Sequence, residues 1–165
     1  IFFVFLLTFG KLNAENLNIS FVDMDKIISE SIAGKKIQKS FNKTIEKENE
    51  KFKKIKDDLK KKEEEILKQK NIISKEELDK KIKDFQDNLN ELRSNRTKFN
   101  KEINKKNLEA TNKMVNEINK ILIKYAADNS ISFVIQKKNI IIGKSEFDIT
   151  DKILEQFNDQ IKSIE

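Results

Sequence analysis

Through the middle of the chain, apolar residues recur at heptad spacing. Ile45, Phe52, Leu59, Ile66 and Ile73 form one column. Leu78, Ile82, Phe85, Leu89 and Leu92 form a second at alternating four and three spacing, continued by Phe99 and Ile103 after Arg96. This is the pattern of two amphipathic helices packed along a narrow seam. Between the columns, Ser74 followed by Glu77 carries the capping-box signature, so a new helix starts there and the tip of a hairpin lies near Asn71 to Lys75. At about 1.5 Å per residue, an outgoing helix from Gly34 to Asn71 reaches roughly 55 Å and a returning one from Lys75 to Asp128 roughly 80 Å. The companion column Phe41, Glu48, Ile55, Lys62, Gln69 loses its apolar character towards the tip. The register of the returning helix shifts beyond Ile103 before Met114, Ile118, Ile121 and Tyr125 resume it. A pair with one thin face is expected to hold its shape but flex, most of all at the tip. An ordinary intramolecular coiled coil produces the same pattern.

The pattern changes at both ends. Ile19 to Val22 read as a strand, and a helical pattern begins near Asp25 with Ile27, Ile28 and Ile32. After Asp128 and Asn129, "ISFVIQKKNIIIG" reads as two short strands folded around Lys137, Lys138 and Asn139, the two lysines serving as solvated turn residues. A two-stranded ribbon is marginal alone. Its expected partner is Ile19 to Val22, and that pairing forces the helices between them outwards as an arm. A terminal helix is expected from Thr150 as N-cap, with Asp151 in its first turn and Ile149 stapled against Leu154. Ile153, Leu154, Phe157 and Ile161 then press onto the body. The fold class is α+β, a long antiparallel helical hairpin on a small β body. Three short strands cannot bury enough surface to stand as a domain, so several copies are expected to close the body together. Ile19, Phe21, Phe133, Ile135, Ile140 and Ile142 are the candidate oligomerisation core.

Composition narrows the chemistry. Charged residues make up 38% and mean hydropathy is −0.66, too polar for a compact globule, and 3 Gly with 0 Pro leave few turns. With 0 Cys and 0 His there is no disulfide, thiolate nucleophile, imidazole base or Cys/His zinc site. No catalytic residue, metal or cofactor is expected. Lys35 to Asp128 hold 27 Lys and Arg against 18 Asp and Glu, whereas the rest of the chain holds 7 against 10. The arms are basic and the body acidic. Such arms attract nucleic acid, acidic lipid headgroups or an acidic polypeptide. Solvated helical faces in a Lys-, Asn- and Ile-rich composition account for the same lysines. Nucleic acid is not expected, because only two Arg are present, acidic residues are interspersed and no recognition motif occurs. Lys53, Lys54, Lys60, Lys61 and Lys62 are the candidates for electrostatic capture of a partner.

At the N-terminus, the apolar run Ile1 to Phe9, a Gly-Lys break and Ala14 are expected to be part of a cleaved signal peptide over residues 1–14. The run falls short of the about 20 apolar residues of a spanning helix. A membrane anchor with further apolar residues upstream is the alternative. The expected division is a body from residues 15–34 and 114–165 and an arm from 35–113, with its tip near 71–75.

In order, the strand with "FVDMDKIISES" and Ala33-Gly34-Lys35, the basic hairpin, "SISFVIQKKNIIIG" and "DITDKILEQF" resemble the Skp/OmpH family of periplasmic chaperones over essentially the whole mature chain. The specific pieces are Ser29 to Lys35 and Asp148 to Asp151 with its helix; one departure is Ile32, where many relatives have proline. The resemblance implies a jellyfish-like homotrimer, three arms around a cavity that holds unfolded outer-membrane proteins in the periplasm without ATP. The other readings are a membrane-anchored tethering coiled coil and, further off, a basic nucleic-acid-binding protein.

Overall fold

The computed structural model describes residues 17–164, and the expected signal peptide lies outside them. The elements run β1 (Ile19–Val22), α1 (Met24–Glu30), α2 (Ile32–Gln69), α3 (Lys75–Asp128), β2 (Phe133–Gln136) and α4 (Thr150–Gln160), with single 3-10 turns at Lys137–Asn139 and Ser145–Phe147. The molecule is mostly helical, with two long helices and a small two-stranded sheet. β1 and β2 pair in parallel, Ile19 opposite Phe133 through Val22 opposite Gln136. Parallel strands need a crossover, and here the crossover is the entire helical hairpin.

Local chemistry sets each boundary. Asp23 caps α1, its carboxylate accepting from the Lys26 N–H at 2.9 Å. Ser31 then serves two helices at once. Its N–H closes α1 on the Ile27 carbonyl at 3.1 Å, while its hydroxyl caps α2 by accepting from the Gly34 N–H at 3.0 Å. Gly34 makes the sharp junction possible, since a Cβ there would lie 1.7 Å from the Ile28 carbonyl oxygen. The expected tip is present: Ser74 accepts from the Glu77 N–H at 3.3 Å and α3 starts at Lys75. α3 ends as expected at Asp128, in a Schellman arrangement: Ser130 takes φ 52°, Ile131 N–H bonds the Ala126 carbonyl at 2.9 Å and Ser130 N–H that of Ala127 at 3.4 Å.

The core of the body draws on both ends of the chain: Val22, Met24 and Ile27, then Met114, Ile118 and Ile121, then Ile149, Ile153 and Phe157. Leu154 and Ile161 pack against this cluster, as expected of α4.

Two expectations are corrected. Ile140 to Ile142 do not form a strand in the single chain; the turn at Lys137–Asn139 carries the chain off the sheet, leaving Ile141 and Ile142 99% and 91% exposed. The place beside β1 opposite β2 is taken instead by one bridge, Phe21 to Asp148, reinforced by the Ile149 N–H on the Phe21 carbonyl at 3.0 Å. Thr150 is also not the cap of α4. It is the first helical residue, and its own N–H is bonded by the Asp148 carboxylate at 3.0 Å.

Candidate functional site

The hairpin offers one surface and the sheet another. Along the seam, Phe52 and Leu59 are buried, and Phe52 meets Phe99 of α3 edge-on at 6.0 Å between ring centroids. The companion column thins as its sequence demands. Ile55 is 44% exposed, Glu48 turns to Lys51 at 2.7 Å, and Gln69 accepts from Lys81 Nζ at 2.7 Å. A polar contact thus replaces an apolar one at the last layer before the tip. Where the returning register shifts, α1, α2 and α3 leave a cleft of about 430 Å³ between Ile28, Phe41 and Ile45 on one side and Ile103, Asn107 and Met114 on the other. The register of Met114 traced back falls on the polar Thr111 and Asn107, both of which line the cleft, so no aliphatic knob fills it there.

All five candidate lysines, Lys53, Lys54, Lys60, Lys61 and Lys62, are exposed on α2. Lys61 reaches Asp58 at 3.8 Å, and Lys62 lines a groove of about 220 Å³ with Ile66, Gln69, Lys81 and Phe85. Lys53 and Lys60, like Lys54 and Lys61, are seven residues apart, so each pair shares a helix face.

The parallel register sorts the candidate assembly residues. Val22 and Val134 face the helices and join the core. Ile19, Phe21, Phe133 and Ile135 alternate with them and pair across the strands, so all four lie on the other face. Three of these are open, Ile19 at 42%, Phe133 at 56% and Ile135 at 39%. Phe21 is buried within its own chain, at 7%, under the segment that passes through Gly143, where a Cβ would touch the Phe21 ring at 3.0 Å and Ile140 at 3.4 Å. Ile140 is half-buried beside Phe21, whereas Ile142 points outwards away from this cluster.

Sequence reading missed two apolar positions. Ile141 is fully exposed, and Ile123 on α3 is 72% exposed beside a cleft of about 440 Å³ lined by Val22, Met24, Val115, Leu122 and Val134. A signal existed for the second: Ile121, Leu122 and Ile123 are three consecutive aliphatics, more than a helix packed on one side requires.

A polar clamp ties the sheet to α1 and α4. Lys137 and Lys138 are exposed turn residues as expected, and Lys137 Nζ in addition bonds Asp148 at 2.8 Å. Burial pushes the Asp148 carboxyl up, but hydrogen bonds from Lys137 and from the Thr150 hydroxyl and N–H, with the Lys137 charge, outweigh it and hold it below the ordinary range. Lys137 is correspondingly held above the usual lysine range, first by its hydrogen bond to Asp148 and then by that charge. Lys26 bonds Asp151 at 2.7 Å and is raised for the same reason. Among the described residues no group of three or more Asp or Glu is placed to hold a metal ion. Within them no helix is long and apolar enough to cross a membrane.

Comparison with known proteins bears on this arrangement. A search of curated proteins by sequence returns no match. Among solved structures, a candidate outer membrane chaperone (OmpH-like) from Caulobacter crescentus CB15 has the same fold at a TM-score of 0.83, over 96% of this chain and 95% of that one, with 16% identity. The family model described as "Outer membrane protein (OmpH-like)" matches residues 18–157, from the start of β1 almost to the end of α4. The chain therefore belongs to the OmpH-like family.

Proposed function

We propose that the protein is a periplasmic holdase chaperone that encloses unfolded outer-membrane proteins without ATP. The observation that carries this reading is the apolar sheet face, Ile19, Phe133 and Ile135, left uncovered at the root of a helical hairpin far longer than its core requires. Family membership supports it over nearly the whole described chain. A face of that kind on a small sheet is costly to leave in water and favours closure against further copies. In this reading residues 15–34 and 114–165 form the body, and three bodies join as a homotrimer. The hairpins, residues 35–113, then surround a shared space.

Retention comes from many weak contacts. The exposed lysines of α2 draw in acidic or membrane-bound clients, and the thin seam lets each arm adjust to clients of different size at small cost. Weak contacts repeated over three arms hold a client through effective concentration, without any one contact being strong. No catalytic step is part of this reading.

The test is aggregation of an unfolded β-barrel client diluted from denaturant, with the purified protein and no nucleotide. Suppression at stoichiometric assembly is expected, and unimpeded aggregation would overturn the reading.

A further inference from the structure

At the root of the hairpin the seam between α2 and α3 is unequal. On α2, Ile37, Phe41 and Ile45 keep the apolar side going and are half-buried, whereas α3 brings Asn104, Asn107 and Thr111 to the same cleft. Leucine at 107 and 111 would serve folding better, both as knobs facing α2 and as a stronger helix former. The polar choice leaves the cleft of about 430 Å³ open.

The polar side chains there are also unused. Elsewhere on the two long helices such groups turn back onto their own backbone: Thr44 bonds the Ser40 carbonyl at 2.9 Å, Asn88 that of Asp84 at 2.6 Å and Thr97 that of Arg93 at 3.0 Å. Among the described residues, Gln38, Asn42, Asn104, Asn107 and Thr111 have no side-chain hydrogen bond of this or any other kind, and all five line the cleft. None of the described residues lining it carries a charge, although 38% of the chain is charged.

We propose that this cleft docks an extended, uncharged segment of polypeptide in which apolar residues alternate with polar ones. The N–H and C=O groups of such a segment are unpaired, and side-chain amides can both donate to and accept from them. Its alternate side chains lie on one face and pack against Ile37, Phe41 and Ile45. Met114 closes the body end with a side chain that adapts to different shapes. From Ile103 to Met114 the cleft follows about 16 Å of helix, the length of about five extended residues. A helical partner satisfies its own backbone and has no use for the free amides, and neither does a hydrocarbon chain. A charged partner finds no opposite charge. The inference rests on the holdase reading for its partner, since the strands of an unfolded membrane β-barrel alternate apolar and polar residues in this way.

The experiment uses the full chain and a dye-labelled peptide of alternating leucine and threonine, against an isomer with the leucines grouped at one end. Fluorescence anisotropy is expected to show binding of the alternating peptide and markedly weaker binding of the isomer. The double variant Asn107→Leu and Thr111→Leu fills the cleft, so a raised Tm is expected together with at least about a tenfold loss of peptide affinity. Asn107→Asp keeps the shape but removes a donor and adds a charge, and is expected to weaken peptide binding severalfold. The chain has 0 Trp, so Phe41→Trp introduces a single indole, whose emission is expected to shift to the blue as the peptide covers it. Undiminished peptide affinity in the double variant, or equal binding of the two isomers, would overturn the proposal. So would an indole that shifts with protein concentration alone and not with peptide, which would make the cleft a contact between copies. Failure of the holdase reading looks different: the β-barrel client aggregates unimpeded while the alternating peptide still binds the open cleft and not the filled one.

Discussion

The Thr150 hydroxyl accepts a hydrogen bond from the Asp23 N–H at 2.9 Å, joining residues 127 positions apart. It fastens the first turn of α4 to the cap of α1, at the base from which the whole hairpin departs. Thr150 is 2% exposed, and its hydroxyl donates in turn to Asp148. Replacing Thr150 by Val preserves shape but leaves the Asp23 N–H and a carboxylate oxygen short of a partner. A loss of about 1–3 kcal/mol is expected. Thermal unfolding of the full chain checks it: a lowered Tm is expected, and an unchanged Tm would mean the clamp is dispensable.

The two described glycines whose side-chain space is known make a paired test. Gly34→Ala drives a methyl group into the Ile28 carbonyl, a backbone atom that cannot rotate away, so the α1–α2 junction has to open. A destabilisation of about 3 kcal/mol or more is expected. Gly143→Ala meets the edge of Phe21 at 3.0 Å, a contact a few tenths of an ångström of ring movement relieves, and about 1 kcal/mol or less is expected. Denaturant midpoints for the two variants measure the difference directly.

Acid sensitivity follows from Asp148. Its folded pKa is depressed, so its contribution is fully present above the ordinary carboxylate value and is lost as pH falls through the lower folded value. Asp148→Asn is therefore expected to lower stability at pH 7 and to flatten the fall in stability below about pH 4. Urea unfolding at pH 7 and pH 3 gives both quantities. Equal losses at the two pH values would remove charge from the explanation.

The exposed lysines of α2 predict a salt-dependent step in client capture. Reversing Lys53, Lys54, Lys60, Lys61 and Lys62 to Glu is expected to weaken binding of an acidic client on the order of tenfold at low salt, with the difference closing as salt rises. Fluorescence titration of a labelled client at two ionic strengths checks it. Unchanged affinity and salt dependence would leave those lysines as solvated surface.

Much of this architecture was legible because it rests on local signals. Ser74 with Glu77 marked the tip, Asp128 and Asn129 marked the end of α3, and the heptads of Ile45 and Leu78 marked the seam. β1 was found as the partner of Phe133 to Gln136 because so little else in the chain had strand character. The failures share a different cause. Ile140 to Ile142 have strand composition, but strand propensity is realised only against an available edge, and the single chain offers its β1 edge to Asp148 instead. The Thr150 cap was misread and the Lys137 ion pair not foreseen for a related reason, since their partners, the Asp23 N–H and Asp148, are supplied by tertiary structure rather than by neighbouring residues in a periodic pattern. Of the candidate assembly residues, alternation and strand pairing place Ile19, Phe21, Phe133 and Ile135 on one face, yet Phe21 is already covered by its own chain.

Ile32, where the sequence resemblance leads one to expect proline in many relatives, has a use for its own N–H. It occupies the first position of α2, where proline is well tolerated because its missing N–H has no helical partner. Here the Ile32 N–H is used, donating to the Asn158 side chain of α4 at 2.8 Å. The junction thus gains a second tie between the arm root and the body.

The central claim is that copies of this chain assemble through the sheet and hold one unfolded client between their arms. Native mass spectrometry of the protein mixed with an unfolded β-barrel client, without nucleotide, tests it most directly. The account predicts a dominant species of three chains and one client. Single chains with free or aggregated client would contradict it.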